Sequence, residues 1–300
     1  MAIWEMDDFT TSGDMITGLT DKGKTKLKEN GGTIGFPEQK CSIADGAFMV
    51  RYGDSVGRIR VVESWGGVAL IGNNAFKNQP INTIPDNWGN ITSIGDKAFF
   101  RTTIVSLPES WGLVTSIGNG AFHSSKVLNI PLSWGGVARV GSYAFSENFI
   151  RRIPQSWGGI TRLESRVFAH NNIRVLPNSW GGVASIGECA FADNRIEQIP
   201  DSWGEVTGVG IDAFYNNRLS CLPESWGKME ALGAGAFARN EYGVQYDSRE
   251  QPVAQLLEAG KKKWGTHWSD TSKMVVDAPA DDETVRRAEY VREEKLVGNI

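Results

Sequence analysis

Residues 183–205 read VASIGECAFADNRIEQIPDSWGE, and this 23-residue unit recurs along most of the chain. Eight tryptophans keep its step without exception: Trp65, Trp88, Trp111, Trp134, Trp157, Trp180, Trp203 and Trp226. A phenylalanine column runs in parallel from Phe76 through Phe99, Phe122, Phe145, Phe168, Phe191 and Phe214 to Phe237. A fixed period of this length signals structural units stacked face to face, so the predicted fold is a repeat solenoid.

Reduced to its columns, the array reads V-x-x-I-G-x-x-A-F-x-x-N-x-I-x-x-I-P-x-S-W-G-x. One buried Trp does not offset the conformational entropy of ordering a whole rung. Isolated rungs are therefore unfolded, and stability comes from neighbours burying each other's faces. The spacing predicts one short strand over I-x-x-I-P (Ile196 to Pro200), a second over V-x-x-I-G (Val183 to Gly187), and a tight or 3₁₀ turn around A-F. Together these give a parallel β stack. Glycine follows every tryptophan of the column, which predicts a corner with φ > 0 or a close backbone approach. Proline, three residues before Trp in seven rungs, suits the end of a strand. Asn148, Asn171, Asn194, Asn217 and Asn240 form a column whose amides are expected to bond the backbone of adjacent rungs. Gln79, Thr102 and Ser125 hold that column earlier, so the ladder is weaker on the N-terminal side.

With 31 basic and 35 acidic residues the formal charge is −4, which offers no footprint for nucleic acid. No stretch reaches the roughly 18 apolar residues of a membrane span, and no export signal is visible. Cys41, Cys189 and Cys221 fall in different columns and read as lone thiols. His123, His170 and His267 do not assemble a site, and the recurring glycines are framework, not a phosphate cradle. The chain is read as non-enzymatic, with no cofactor and no metal.

The N-x-I-x-x-I-P and I-G-x-x-A-F-x-x-N segments resemble bacterial leucine-rich repeats of the surface-antigen, BspA-like class, over about residues 41–240. The chain departs from that class in lacking L-x-x-L-x-L and in placing Trp-Gly where a simpler V-T-S turn is usual. The resemblance implies a leucine-rich-repeat-like solenoid with helical caps at both ends. It also implies a cell-surface or secreted adhesin-like protein that binds proteins, other bacteria or matrix, with no catalytic residues to transfer.

The organisation expected is an N-terminal cap over 1–40, the solenoid over 41–240, a C-terminal cap over 241–268, and a linker with a charged helix over 269–300. The first cap carries a helix over about Thr20 to Glu29, stopped by Gly31-Gly32. Phe48 to Phe76 spans five residues more than the period, which places a loop at Arg51 to Gly57.

Positions where framework demands lapse are the candidates for binding. On the I-x-x-I strand they give a basic strip with one exposed aromatic: Phe149, Arg151, Arg152, Arg174, Arg195 and Arg218. Arg and aromatic residues are favoured anchors of protein interfaces. A protein partner is the first expectation and a glycan the second. The alternative is an intracellular scaffold or inhibitor-like repeat protein in the cytoplasm, which three unpaired cysteines favour. The tryptophan column offers aromatic faces of the kind that stack on sugars, but invariance down a column is what a core or corner position demands, so burial of the indoles is expected.

Overall fold

The computed structural model describes residues 3–51, 57–86, 88–109, 113–131, 136–157, 159–219, 223, 225–226 and 230–240. The expected C-terminal cap over 241–268 and the charged helix over 269–300 lie outside the described residues, as does most of the loop expected at Arg51 to Gly57.

A 3₁₀ turn, Met6–Asp8, leads into a hairpin of β1 (Phe9–Ser12) and β2 (Met15–Leu19), then α1 (Asp21–Glu29), β3 (Thr33–Gly35), β4 (Cys41–Ile43), β5 (Val61–Ser64) and β6 (Val68–Ile71). Thereafter one two-residue strand falls in each rung: β7 (Ser93–Ile94), β8 (Ser116–Ile117), β9 (Arg139–Val140), β10 (Arg162–Leu163), β11 (Ser185–Ile186), β12 (Gly208–Val209) and β13 (Ala231–Leu232). One sheet runs β1-β2-β4-β6-β7-β8-β9 and a second runs β10-β11-β12-β13, while β3 pairs with β5. Among the described residues only the β1–β2 hairpin is antiparallel; the rungs pair in parallel, with Ser93 beside Ser116 and Ile94 beside Ile117. The chain is thus a parallel β-solenoid.

The V-x-x-I-G segment forms strands as expected, but I-x-x-I-P forms only isolated bridges, such as Ser106 with Asn129 and Arg152 with Val175. Buried residues spaced by three, as at Ile173 and Leu176, break the alternation a regular strand requires. The same spacing holds the V-x-x-I strands from β7 onward to two residues. The A-F turn carries i→i+3 bonds, Phe100 N to Lys97 O at 3.1 Å among them, and also pairs with the next rung through Phe99 N to Ala121 O at 2.8 Å. Left-handed residues flank it, for example Lys97 and Arg101, each with φ 54.

Every described tryptophan of the column is buried, and the phenylalanine column is fully enclosed. Phe76 and Phe99 stack at 5.3 Å between centroids and Trp65 and Trp88 at 5.2 Å. Their faces lie against the next rung and present nothing to solvent. Inside the stack each Asn amide joins two rungs. Asn171 Nδ2 donates to Phe145 O at 2.9 Å and to Phe168 O at 3.1 Å, and Oδ1 accepts from Ile150 N at 3.0 Å. Earlier in the column Gln79 keeps the full pattern, contrary to expectation, with Nε2 donating to Phe48 O at 2.7 Å and Oε1 accepting from Ile59 N at 2.9 Å, and the set thins only at the next two rungs, to Ser125 Oγ on Phe99 O at 3.0 Å and the Thr102–Ser125 pair at 3.0 Å.

At the Trp-Gly corner, Gly66 (φ 50) and Gly89 (φ 52) are left-handed, as expected. Gly181 and Gly204 are not among the positive-φ residues; a Cβ on Gly181 would sit 3.0 Å from Ser202 O, so approach of the next rung is the constraint there.

The N-terminal segment holds more than the expected helix. Thr20 caps α1, its Oγ1 accepting from Gly23 N at 3.2 Å, and Gly31 and Gly32 turn left-handed after it. The β1–β2 hairpin extends the sheet beyond β4. Asp8 is buried at its base, with Lys26 Nζ 2.5 Å and Lys22 Nζ 3.4 Å away and Glu5 N donating to it at 3.0 Å. Burial pushes the Asp8 carboxyl up, but the Lys26 hydrogen bond, the Glu5 amide and the two lysine charges outweigh it and hold the carboxyl below its usual range.

One interruption crosses the described rungs, between β9 and β10. The glycine that follows each V-x-x-I strand lies so close to the preceding rung that a Cβ would meet backbone, 2.5 Å from Asp96 N at Gly118 and 2.7 Å from Ser165 N at Gly187. Glu164 occupies this column and does carry a Cβ. The strand ladder stops there. Trp157 and Trp180 stand 6.3 Å apart, against 5.5 Å for Trp180 and Trp203, and Val140, Ile160, Leu163 and Val167 line a gap too narrow to hold a water molecule. The turn and the opposite side stay bonded, through Tyr143 N to Ser165 O and Asn172 N to Ile150 O, both at 2.9 Å. The rungs therefore part as a wedge.

Candidate interaction face

The I-x-x-I segments place the predicted strip on one face. Ile150, Ile153, Ile173 and Leu176 point into the core, which turns Phe149, Arg151, Arg152, Arg174, Arg195 and Arg218 outward, and all six are exposed. Backbone bonds fix their order: Phe149 N on Val127 O, Asn172 N on Ile150 O, Arg195 N on Ile173 O and Arg218 N on Ile196 O, each at 2.9 Å. Lys126, Phe149, Asn172, Arg195 and Arg218 thus form one column, and Arg151, Arg174 and Glu197 form the next, joined by Arg174 N to Arg151 O at 3.4 Å. Arg152 pairs with Val175 in the third column, and Val175 with Gln198. Ser220 and Cys221, which continue the second and third columns, lie outside the described residues.

No ion pair engages the five arginines of the strip among the described residues, whereas Arg162 lies 3.3 Å from Glu164 and Arg166 3.1 Å from Glu188. Adjacent rungs are about 4.8 Å apart, so Arg151 over Arg174 and Arg195 over Arg218 hold like charges at close range in solvent. An anion from outside would relieve that repulsion.

Apolar residues share the face, which the sequence reading of a basic strip with one aromatic passed over. Val105 is 40% exposed, Phe149 50% and Val175 59%, with Leu128 half-buried between the first two. The signal was available, since these residues occupy the same variable columns as the arginines.

Elsewhere the polar groups are structural. Thr92 and Thr207 each bond the carbonyl of the rung before, Ala69 O and Ala184 O, at 3.3 Å. Ser124 Oγ is committed to Glu147 Oε2 at 2.6 Å, and His170 Nδ1 lies 3.3 Å from Asp193 Oδ2 two rungs away from His123. Burial raises the thiols of Cys41 and Cys189, which works against thiolate chemistry. Among the described residues no group of three or more His, Cys, Asp or Glu is arranged to hold a metal ion, and no helix is long and apolar enough to cross a membrane.

The BspA type leucine rich repeat region matches residues 69–197 as six copies. No curated protein matches the chain. Solved structures similar to it include a leucine-rich repeat protein from Bacteroides ovatus, 18% identical, with a TM-score of 0.42, over 75% of this chain and 65% of that one. A second, from Eubacterium ventriosum, is 17% identical with a TM-score of 0.41, over 70% and 65%. The pneumococcal vaccine antigen PcpA is 17% identical with a TM-score of 0.41, over 80% and 79%. The chain spans 65% of the length of the Bacteroides and Eubacterium proteins. With the period, the stacked aromatic columns and the family match in agreement, residues 69–197 are a leucine-rich repeat region of the BspA type.

Proposed function

We propose that this chain is a non-enzymatic interaction module that binds a protein partner through the face carrying Phe149, Arg151, Arg152, Arg174, Arg195 and Arg218, and that it serves as an adhesin-like protein at a bacterial cell surface. The observation that carries this reading is the set of five arginines in successive rungs that no carboxylate of the described chain neutralises. A framework needs none of them, because the rungs are held by buried aromatics, amides and backbone. The surface assignment draws on the repeat type and on PcpA being a vaccine antigen. In this reading residues 1–40 cap the solenoid. A glycan would bind by way of Phe149 or the arginines, since the described tryptophans of the column are enclosed.

The test is capture of partner proteins from candidate target cells by the whole chain and by the Arg151→Glu, Arg152→Glu, Arg174→Glu triple variant. Loss of the captured partner with an unchanged circular dichroism spectrum supports the reading; equal capture by both sinks it. The buried free thiols Cys41 and Cys189 favour a second reading, a cytoplasmic scaffold using the same face. An export signal upstream of the gene's reading frame eliminates that one.

A further inference from the structure

We infer that the occupant of this face is an extended polypeptide segment in which bulky apolar residues adjoin an acidic run. The inference rests on the proposed binding role and adds the chemistry of the partner. The face changes in character along the stack. Its N-terminal end carries the apolar Val105, Leu128 and Phe149 in successive rungs, with Lys126 beside them, and its C-terminal end gathers the arginines, Arg151 and Arg152, then Arg174, Arg195 and Arg218, with exposed Val175 among them. Positive charge collects here although the whole chain carries −4.

Two features select a polypeptide over a sulfated or phosphorylated polymer. Exposed Val105 and Phe149 have nothing to gain from a polyanion, whereas an aliphatic or aromatic side chain would remove them from water. Glu197 follows Arg174 in its column and neighbours Arg195, so a uniform polyanion would meet a carboxylate in the middle of its track, while a peptide offers a backbone N–H there. The face spans five rung steps, on the order of 24 Å, or about seven residues of extended chain.

The probes are three: a labelled ten-residue peptide with Leu and Trp followed by Asp and Glu, a peptide of the acidic half alone, and heparin as the sulfated polymer. Fluorescence anisotropy with the full chain reads binding, and its circular dichroism checks folding of each variant. Binding of the composite peptide at least tenfold tighter than the acidic one is expected, Phe149→Ser abolishing that margin and Arg174→Glu with Arg195→Glu abolishing binding of both. Equal affinity for the two peptides overturns the inference, as does heparin binding that Phe149→Ser leaves unchanged, or no binding of either peptide. If the peptides fail while the triple arginine variant still loses the captured partner, the partner chemistry is wrong and the binding role stands. If that variant captures the partner as well as the original chain does, both fall.

Discussion

Asn171 Oδ1 accepts the amide hydrogen of Ile150 at 3.0 Å, so a side chain of one rung completes the backbone of the rung before it. The same amide donates to Phe145 O, Phe168 O and Ala169 O. Replacing Asn171 with Ala leaves the Ile150 amide buried and unpaired, while Phe145 O, Phe168 O and Ala169 O keep the bonds from Asn148, Asn194 and Glu147 N, so a loss of about 1–3 kcal/mol is expected. Thr102→Ala removes a smaller set and should cost about 1 kcal/mol. Urea midpoints of the two variants check the order, and equal losses would refute the role given to the amide ladder.

Trp203 and Trp180 occupy the same column and are equally buried, but Trp203 Nε1 donates to Pro177 O at 2.8 Å while Trp180 Nε1 has no hydrogen-bond partner among the described residues. Tryptophan to phenylalanine should therefore destabilise more at 203 than at 180, by about 1 kcal/mol, the net value of one buried bond. Thermal or urea unfolding of the two single variants measures the difference.

Glu164→Gly restores the glycine of its column and is expected to close the wedge, raising stability and slowing hydrogen exchange at the amides of residues 161 and 164. In the opposite sense, Gly118→Ala puts a Cβ 2.5 Å from Asp96 N and should cost about 1–3 kcal/mol by overpacking. If Glu164→Gly destabilises the chain instead, the wedge has another cause.

Asp8 has its carboxyl held low by Lys26, Glu5 N and Lys22 against the effect of burial. A carboxyl depressed on folding contributes stability that is complete above the unfolded value, about 3.9, and is lost as pH falls through the lower folded value. Stability should therefore fall with acid below about pH 4, and Asp8→Asn should flatten that slope while lowering stability at neutral pH. Urea midpoints between pH 2 and 7 provide the measurement.

Much of this architecture was legible because the repeat makes each column its own control. Trp203 and Phe191 could be placed in the core from their spacing alone, and Asn171 across a rung boundary from its column. Arg174 and Arg195 could be placed outside because their positions vary. What escaped depends on distances no spacing encodes. The hairpin of β1 and β2 rests on short polar segments, Thr10 to Ser12 among them, with no strong strand pattern. Gly66 and Gly204 differ in φ and in their neighbours, a Cβ on Gly66 meeting Phe36 O at 2.2 Å and one on Gly204 nothing nearer than Ser225 Cβ at 3.4 Å, which the shared Trp-Gly pair does not encode. Val105 and Val175 read as ordinary variable residues until their exposure placed them beside the arginines.

Glu164 has a consequence for how the molecule comes apart. In a linear array each unit is secured only by its neighbours, and cooperativity extends no further than the weakest junction allows. The β9–β10 junction lacks strand pairing on one side, so heat or pulling force should divide the protein there into two fragments that melt separately. A calorimetric trace with two transitions, merging into one in the glycine variant, is the signature.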